Sequence, residues 1–598
     1  MNDNFFGSQL RKKIFLVAII GFIALLAFQL FQMQILNNPV YQAKSKENSI
    51  KEIPQTAARG VFYDRNFDIV VSNKPSFTLQ IIPAHYNKEL NPVLETALQV
   101  DSGYVSQILE KNKMYNKFSP RKIKRNVDFA VIAWLEENSE NLPGVEYVVE
   151  TQRDYSYGVS GAHLFGYSKE VSRALLEENK EKYSLGDYVG YNGIEKTYED
   201  YLRGKKGVNY VLVDSRQRKI GEYNRGLNDK APNKGTDLVL TIDAKTQRVA
   251  EEAFAGKTGA LVAMEPSTGE IIALVSSPGY SLSDFASVTP RTVLDSLNKD
   301  EDKPLFNRAT MSMNPPGSTF KMLMAIAALE EGVINPNTYI NCKGGYTFGR
   351  YFRCHGVHGI TNVEKAIEKS CNTFFYPLVL KIGFRKWAEY ARSFGFGEKT
   401  GIDIGEETRG IVPDPDYYDR VYGKNRWTDG YLISLGIGQG ELSATPVQLA
   451  KYVSLIANYG KTKIPHVVKG YIDRSKEEFK PLYYDDVSVD ISKRTFDVVR
   501  KGMWDVVQGE GTGRWIRMAE IEIAGKTGTA QNPHGEDHAQ FVAFAPYDNP
   551  KIAVALIVEN VGFGSTHAAP IARDVIKAYL VKDDEDPEEN NMITANSR

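Results

Sequence analysis

Cysteine is nearly absent: a chain of 598 residues carries three, Cys342, Cys354 and Cys371, all within one 30-residue stretch. An odd, clustered set of thiols argues against a disulfide framework. An excess of one charge is lacking too. The formal net charge is −1, so there is no basic footprint for nucleic acid and no nucleic-acid partner is expected. Internal repeats and long low-complexity linkers are missing, which leaves an ordinary globular chain long enough for several domains. Spanning-length apolar runs are missing with one exception, IFLVAIIGFIALLAFQLFQMQIL, Ile14 to Leu36.

That run is uncharged, long enough to cross a hydrocarbon core, and preceded by Arg11, Lys12 and Lys13, which predicts that residues 1–13 stay in the cytoplasm. A cleaved signal peptide would need a small-x-small site after the run, where the sequence reads NNPVYQAKSKEN. The expectation is a single-pass anchor, residues 14–36, in the cytoplasmic (inner) membrane, with everything after it extracytoplasmic or periplasmic. The last stretch, VKDDEDPEENNMITANSR, residues 581–598, is acidic, poor in large apolar groups and expected to be disordered.

Between these ends, Pro, Gly, Asn and charge cluster in NDKAPNKGTD, Asn228 to Asp237, which marks the main boundary. Residues 37–234 mix strand-like runs such as FTLQIIP with charged helical stretches such as VDFAVIAWLEENSENLP and show no catalytic cluster. Residues 235–580 hold helices with apolar faces (MLMAIAALEEG, TPVQLAKYVSLIANYG) and strands of high β-propensity (HAQFVAFAP, KIAVALIVEN). GALVAMEPSTGEIIALVSS reads as a hairpin turning at Pro266–Gly269. Strands at both ends with helices between predict an α+β fold with an antiparallel sheet covered by helices.

Three short motifs carry chemistry. Ser318 and Lys321 sit three apart at the head of a helical run, so the amine can lie against the hydroxyl over the positive end of the helix dipole. Alone this reads more readily as a capping serine and a solvated lysine, and Ser119-x-x-Lys122 and Ser296-x-x-Lys299 match it too. Downstream come Ser370-x-Asn372 and then Lys526-Thr527-Gly528-Thr529, directly before a strand; Ser296-x-Asn298 and Lys257-Thr-Gly259 are further copies of each. Order supplies the weight: Ser-x-x-Lys, Ser-x-Asn and Lys-Thr-Gly-Thr in this sequence form the motif set of penicillin-interacting acyl enzymes. A serine needs a base to take its proton, and Lys321 serves only if deprotonated, which the neighbouring cation Lys526 is expected to favour.

With these motifs the chain resembles the class B penicillin-binding proteins, cell-wall D,D-transpeptidases. Arg59-Gly-Val-Phe-Tyr-Asp-Arg65, Gly193-Ile-Glu195 and Tyr201-Leu-Arg-Gly204 resemble the family's pedestal domain, here residues 37–234, and SLGIGQGELSATPVQLA, Ser434 to Ala450, resembles a glycine-rich turn and helix of its transpeptidase domain, here residues 235–580. The length and the HLFGY stretch around His163 look most like elongation-type members. The resemblance implies that Ser318 attacks the penultimate D-Ala carbonyl of a peptidoglycan stem peptide, with Lys321 as base. Ser370 relays a proton, Asn372 orients the substrate amide, and the Ser318 and Thr529 N–H groups hold the oxyanion. Lys526, Thr527 and Thr529, with Gly528 between them, receive the terminal carboxylate. It also implies inhibition by β-lactams. No glycosyltransferase domain is evident, so the resemblance implies a membrane polymerase partner of the shape, elongation, division and sporulation (SEDS) family. No organic cofactor is expected. A membrane-tethered β-lactamase is the alternative enzyme, disfavoured by the long region before Gly235, and a penicillin sensor or scaffold without turnover is the non-enzymatic one.

The three cysteines fall with His355 and His358 in the pattern C-x11-C-x3-H-x12-C. Three thiolates and an imidazole make a closed tetrahedral set, so structural zinc on Cys342, Cys354, His358 and Cys371 is expected, with His355 as the alternative imidazole and a Cys342–Cys354 disulfide as the alternative chemistry. Some elongation-type members are similar in carrying a metal here, often through carboxylates. Cys371 is the middle residue of Ser370-x-Asn372, so a metal would pin that turn.

Overall fold

A computed structural model describes residues 9–36, 49–111, 117–184, 186–214, 219–286, 289–424, 426–532 and 535–581. The expected disorder of the acidic C-terminal stretch falls on residues 582–598, outside the described residues. The apolar run is a continuous helix, Gln9–Phe31, extended by a π-helical turn, Gln32–Leu36. An 18-residue window of it has a mean hydropathy of 2.8 and none of that window is buried in protein, the condition of a helix whose side chains seek lipid and whose backbone is satisfied within itself.

The chain divides into two compact units built from alternating segments. The first comprises 1–58, 77–150 and 204–234. It contains an antiparallel three-stranded sheet, Ile50–Gln55, Gly207–Val213 and Lys219–Glu222. A small core forms where the helices Asn91–Ala97, Tyr104–Lys111 and Phe129–Glu137 meet the strand Arg121–Val127 through Leu94, Val105, Ile123 and Ile132. The buried Glu95 carboxylate accepts the backbone N–H groups of Gly103 and Val105 at 3.0 Å each, satisfying free donors at the start of the second helix.

The second unit comprises 59–76, 151–203 and 235–598, so two segments that the sequence places before the Asn228–Asp237 boundary belong with the region after it. They carry the quoted Arg59 and Gly193-Ile-Glu195 motifs, and the structure shows what those residues do. Glu195, fully buried, accepts from Arg59 Nε at 2.8 Å and from Arg153 Nε at 2.6 Å, while Arg59 Nη2 reaches Glu199 at 2.6 Å. Burial alone would push the Glu195 carboxyl up, but the charges of Arg153 and Arg59 hold it below the usual carboxylate range. Phe62–Tyr63 then runs parallel to Leu238–Leu240, joining chain segments far apart in sequence.

The main sheet has five antiparallel strands in the order Ile271–Ser277, Gly259–Met264, Ile552–Val558, His538–Ala545, Ala524–Ala530. Gly259–Met264 and Ile552–Val558 are buried at every position rather than at alternate ones, so both faces of the sheet are covered. The helices Ala244–Ala253 and Ala569–Leu580 pack on each other and on the sheet, and Pro446–Ala457 packs against its central strands. The first hairpin turns at Pro266–Gly269 as its sequence predicts, with Gly269 at φ +78° donating to Glu265. The helix after Thr445 starts with a reciprocal capping box between Thr445 and Gln448. Ala524–Ala530 ends the sheet, so one row of its backbone groups has no strand partner among the described residues.

Candidate active site

Gly317–Phe320 is a 3-10 turn, and the α-helix begins at Lys321 and runs to Glu330. Residues three apart eclipse in a 3-10 turn, so Ser318 and Lys321 keep to one side as the spacing predicts. The direct contact expected between them is not made. Lys321 is fully buried, and its ammonium donates to Asn372 Oδ1 at 2.6 Å, the Ser370 carbonyl at 2.8 Å and Ser370 Oγ at 3.1 Å. Three acceptors in a dry pocket satisfy a buried amine better than one hydroxyl. The Ser318 hydroxyl, half-buried, has no hydrogen-bond partner among the described residues.

Ser370 owes its position to the way the helix before it ends. Val363–Glu368 closes with Ser370 N–H on Ile367 O and Cys371 N–H on Ala366 O, which requires a left-handed residue at position 370. Ser370 adopts it, at φ +54°, where glycine would be the unstrained choice. The turn aims both its carbonyl and its hydroxyl at Lys321. Asn372 is held from its other end, Nδ2 donating to Arg353 O at 3.3 Å.

Lys526, Thr527, Gly528 and Thr529 lie on the edge strand. Its approach to the Ser318 turn is close: a Cβ on Gly528 would come within 2.8 Å of the Thr319 methyl, and a Cβ on Gly317, at φ +54°, within 2.8 Å of Thr529 O. Gly528 is therefore a contact point inside a strand, and the Ser318 and Lys-Thr-Gly-Thr motifs abut. The Thr529 carbonyl also accepts from Gln439 Nε2 at 3.2 Å, a residue of the glycine-rich turn that its spacing did not single out. Lys526 is fully buried, donating to Thr527 O at 3.0 Å, and Thr527 Oγ1 is 2.6 Å from Thr512 Oγ1. Thr512 belongs to no motif, and nothing in the sequence marks it.

Burial brings the Lys321 amine down to about 7 against a rise from the thiols Cys354 and Cys371. The repulsion between the two amines that the sequence leads one to expect falls here on Lys526. Lys526 is itself pushed well down, first by burial and then by the charge of Lys321. A lysine that gives up its proton close to neutrality, among oxygen acceptors and one turn from an unpartnered serine, has the makings of a base beside a nucleophile. The decoys lack such surroundings: Ser296 and Lys299 lie on the helix Arg291–Lys299, which buries none of its residues, and Lys122 pairs with Glu150.

All three cysteines are buried and free, so the structure has no Cys342–Cys354 disulfide. The Sγ atoms of Cys342, Cys354 and Cys371 and a ring nitrogen of His358 lie within 4.8 Å of one another, and His355 is outside the set. His358 Nδ1 is 3.5 Å from Cys342 Sγ and 3.6 Å from Cys354 Sγ, and Cys354 and Cys371 are 4.0 Å apart. Tetrahedral zinc with Zn–S bonds of about 2.3 Å separates its ligands by about 3.5–3.8 Å, so the residues fit such an ion. Cys342 Sγ donates to Thr373 Oγ1 at 3.2 Å, a contact that supports the cluster from outside.

Residues 259–577 match the family described as penicillin binding protein transpeptidase domain, and residues 54–240 match the penicillin-binding protein dimerisation domain. The peptidoglycan D,D-transpeptidase MrdA of Haemophilus influenzae is 34% identical, over 94% of this chain and 91% of that one. Among solved structures, a complex between penicillin-binding protein PBP2 and MreC from Helicobacter pylori is similar at a TM-score of 0.78 and 28% identity, covering 89% of this chain and 99% of that one. A structure described as structural coordination of polymerization and crosslinking by a peptidoglycan synthase complex is similar at 0.72 and 30%, covering 96% and 99%. Serine acyl transfer is the chemistry of these enzymes, and the α+β transpeptidase fold expected from the sequence is present. The chain belongs to the class B penicillin-binding proteins, as a serine-type peptidoglycan D,D-transpeptidase of the penicillin-binding protein 2 branch.

Proposed function

We propose that the residues brought together here divide the transpeptidase reaction among them. Neutral Lys321 takes the Ser318 proton as Oγ attacks the penultimate D-Ala carbonyl of a stem peptide, and the carbonyl π electrons move onto oxygen. Ser370 passes the proton from Lys321 to the departing D-Ala amine as the amide C–N bond breaks, leaving an ester on Ser318. The amine of a neighbouring stem then attacks the ester, gives up a proton through the same relay, and returns Ser318 to its hydroxyl form with a new amide as the crosslink. The observation carrying this reading is the Lys321 amine hydrogen-bonded to both Ser370 and Asn372 in full burial, next to a serine with no partner among the described residues.

The oxyanion is assigned to the N–H groups of Ser318 and Thr529. In an antiparallel strand one residue's N–H and C=O point to the same side, and Thr529 O already faces Gln439 beside the Ser318 turn. Thr527 and Thr529 receive the terminal carboxylate, and Gly528 leaves the room in which the Ser318 turn approaches the strand. A bound carboxylate restores to Lys526 the charge that burial disfavours.

Cys342, Cys354, His358 and Cys371 would hold structural zinc, which supplies folding energy and fixes its ligands in place. Cys371 carries that restraint into the Ser370-x-Asn372 turn. The apolar helix Arg11–Leu36 anchors the chain in the cytoplasmic membrane with the catalytic unit outside, because the basic residues lie before it. The similarity to a peptidoglycan synthase complex and to PBP2 bound to MreC supports a SEDS-family glycan polymerase and an MreC-type protein as partners.

A fluorescent penicillin tests the reading: a stable adduct lost on Ser318→Ala is expected, while rapid release of label would indicate a β-lactamase.

A further inference from the structure

The five residues between the helix Lys493–Gln508 and the edge strand's approach, Gly509 to Gly513, belong to none of the motifs, yet they are tied to two of them. On the Ser370 side, Glu368 Oε1 accepts the Glu510 N–H at 3.2 Å and the Lys369 ammonium donates to the Glu510 carbonyl. Glu368 is itself fully buried and paired with Lys365 at 2.5 Å. On the strand side, Thr512 Oγ1 stands 2.6 Å from Thr527 Oγ1. The loop cannot lift away easily: Gly513 N–H donates to Val506 O at 2.9 Å, and a Cβ on Gly511 would meet Val506 Cα at 2.4 Å.

A hydroxyl has one proton. Two hydroxyls at this separation share one hydrogen bond, and either can donate. Once Thr527 gives its proton to a carboxylate, the bond between the pair survives only if Thr512 donates. Thr512 then fills a Thr527 lone pair, leaves the Thr527 proton free to point into the cleft, and polarises it by the added donation. A residue lacking that hydroxyl leaves Thr527 to rotate.

We propose that Thr512 is a positioning residue for substrate binding: held by Glu368 and Lys369 through the Glu510 backbone, it orients the Thr527 hydroxyl toward the terminal carboxylate of the donor peptide. This rests on the reading of Thr527 as a carboxylate ligand. It predicts an effect on capture of the ligand and little on the acylation step, because Thr512 touches no reacting atom.

The test is stopped-flow acylation of the full-length protein by benzylpenicillin, which carries the carboxylate, resolving the dissociation constant of the first complex from the acylation rate constant. Thr512→Val should weaken the complex about 5- to 10-fold, the loss of one hydrogen bond, with the rate constant within about twofold. Thr512→Ser should restore binding. Thr527→Val should weaken it at least as much, and the Thr512→Val/Thr527→Val double variant should be no weaker than Thr527→Val, since the first acts through the second. Wild-type binding by Thr512→Val beside a weakened Thr527→Val overturns the proposal, as do additive losses, a failure of Thr512→Ser to rescue, or a fall confined to the rate constant. Wild-type binding by Thr527→Val overturns the carboxylate reading itself, and the proposal with it.

Discussion

Lys321 Nζ and Asn372 Oδ1 are 2.6 Å apart, and this contact joins the first motif to the second more tightly than either is joined to Ser318. In the proposed mechanism the base is thus oriented by the residues assigned to the proton relay and to the substrate amide, while the nucleophile stays free to turn toward its target.

That freedom makes Ser318→Ala a clean variant. Its hydroxyl holds nothing in the fold, so stability should change by no more than about 0.5 kcal/mol while covalent penicillin labelling disappears. Thermal melting and gel fluorescence on one preparation check both. Labelling that persists would move the nucleophile.

Acylation should respond to pH through Lys321. Its amine titrates near 7 because burial disfavours the charged form. Below that value it carries the proton and cannot accept another; above it the base is free. The acylation rate constant should therefore rise through about pH 6 to 8 and level off. Lys321→Ala should lose acylation almost entirely, and a flat profile across that range would exclude Lys321 as the base.

Lys526→Ala should act differently, weakening capture of carboxylate-bearing ligands while the pH midpoint moves little. Burial is the main cause lowering the Lys321 amine, and Lys526, itself pushed well down, carries little charge to add. A midpoint that climbs by a unit or more in Lys526→Ala would show instead that the charge of Lys526 tunes the base.

Purified protein should contain about one zinc per chain, because three thiolates and an imidazole complete a closed structural site. Chelation should lower the melting temperature, and Cys342→Ser should do the same without chelator. Elemental analysis and calorimetry read this independently of turnover. Protein free of metal at full thermal stability would sink the assignment.

Glu195→Ala should cost about 3–5 kcal/mol of stability, since it leaves Arg59 and Arg153 buried without their shared partner. The sign of the pH dependence comes from the lowered carboxyl. Held below its ordinary range in the fold, Glu195 contributes stability above that range and loses the contribution as pH falls. Wild type and variant should converge in acid, measured by denaturant unfolding.

How legible the protein was depends on the range of the interaction. Helices and the hairpin at Pro266–Gly269 arise from local periodicity and turn chemistry, and the capping box at Thr445 is visible in four residues. The three catalytic motifs were recognisable by order alone. Their mutual geometry was not. The left-handed backbone of Ser370 depends on how the Val363–Glu368 helix ends, and the pull on Lys321 depends on which acceptors that turn offers. Segments 59–76 and 151–203 join the second unit through contacts such as Phe62 with Leu238 and Arg59 with Glu195, pairings that no local pattern encodes. Thr512 stayed invisible because a threonine after glycine in a loop is ordinary until its neighbour is known.

The open edge of Ala524–Ala530 has an evolutionary consequence. A ligand laid along it meets peptide N–H and C=O groups that every amino acid but proline possesses, so no substitution within the strand other than proline removes them. Escape from a drug that borrows those contacts has to come from what surrounds the strand, by changing how readily it is reached or how firmly its neighbours hold it still, and selection on this enzyme should accumulate in such supporting positions while the strand itself stays constant.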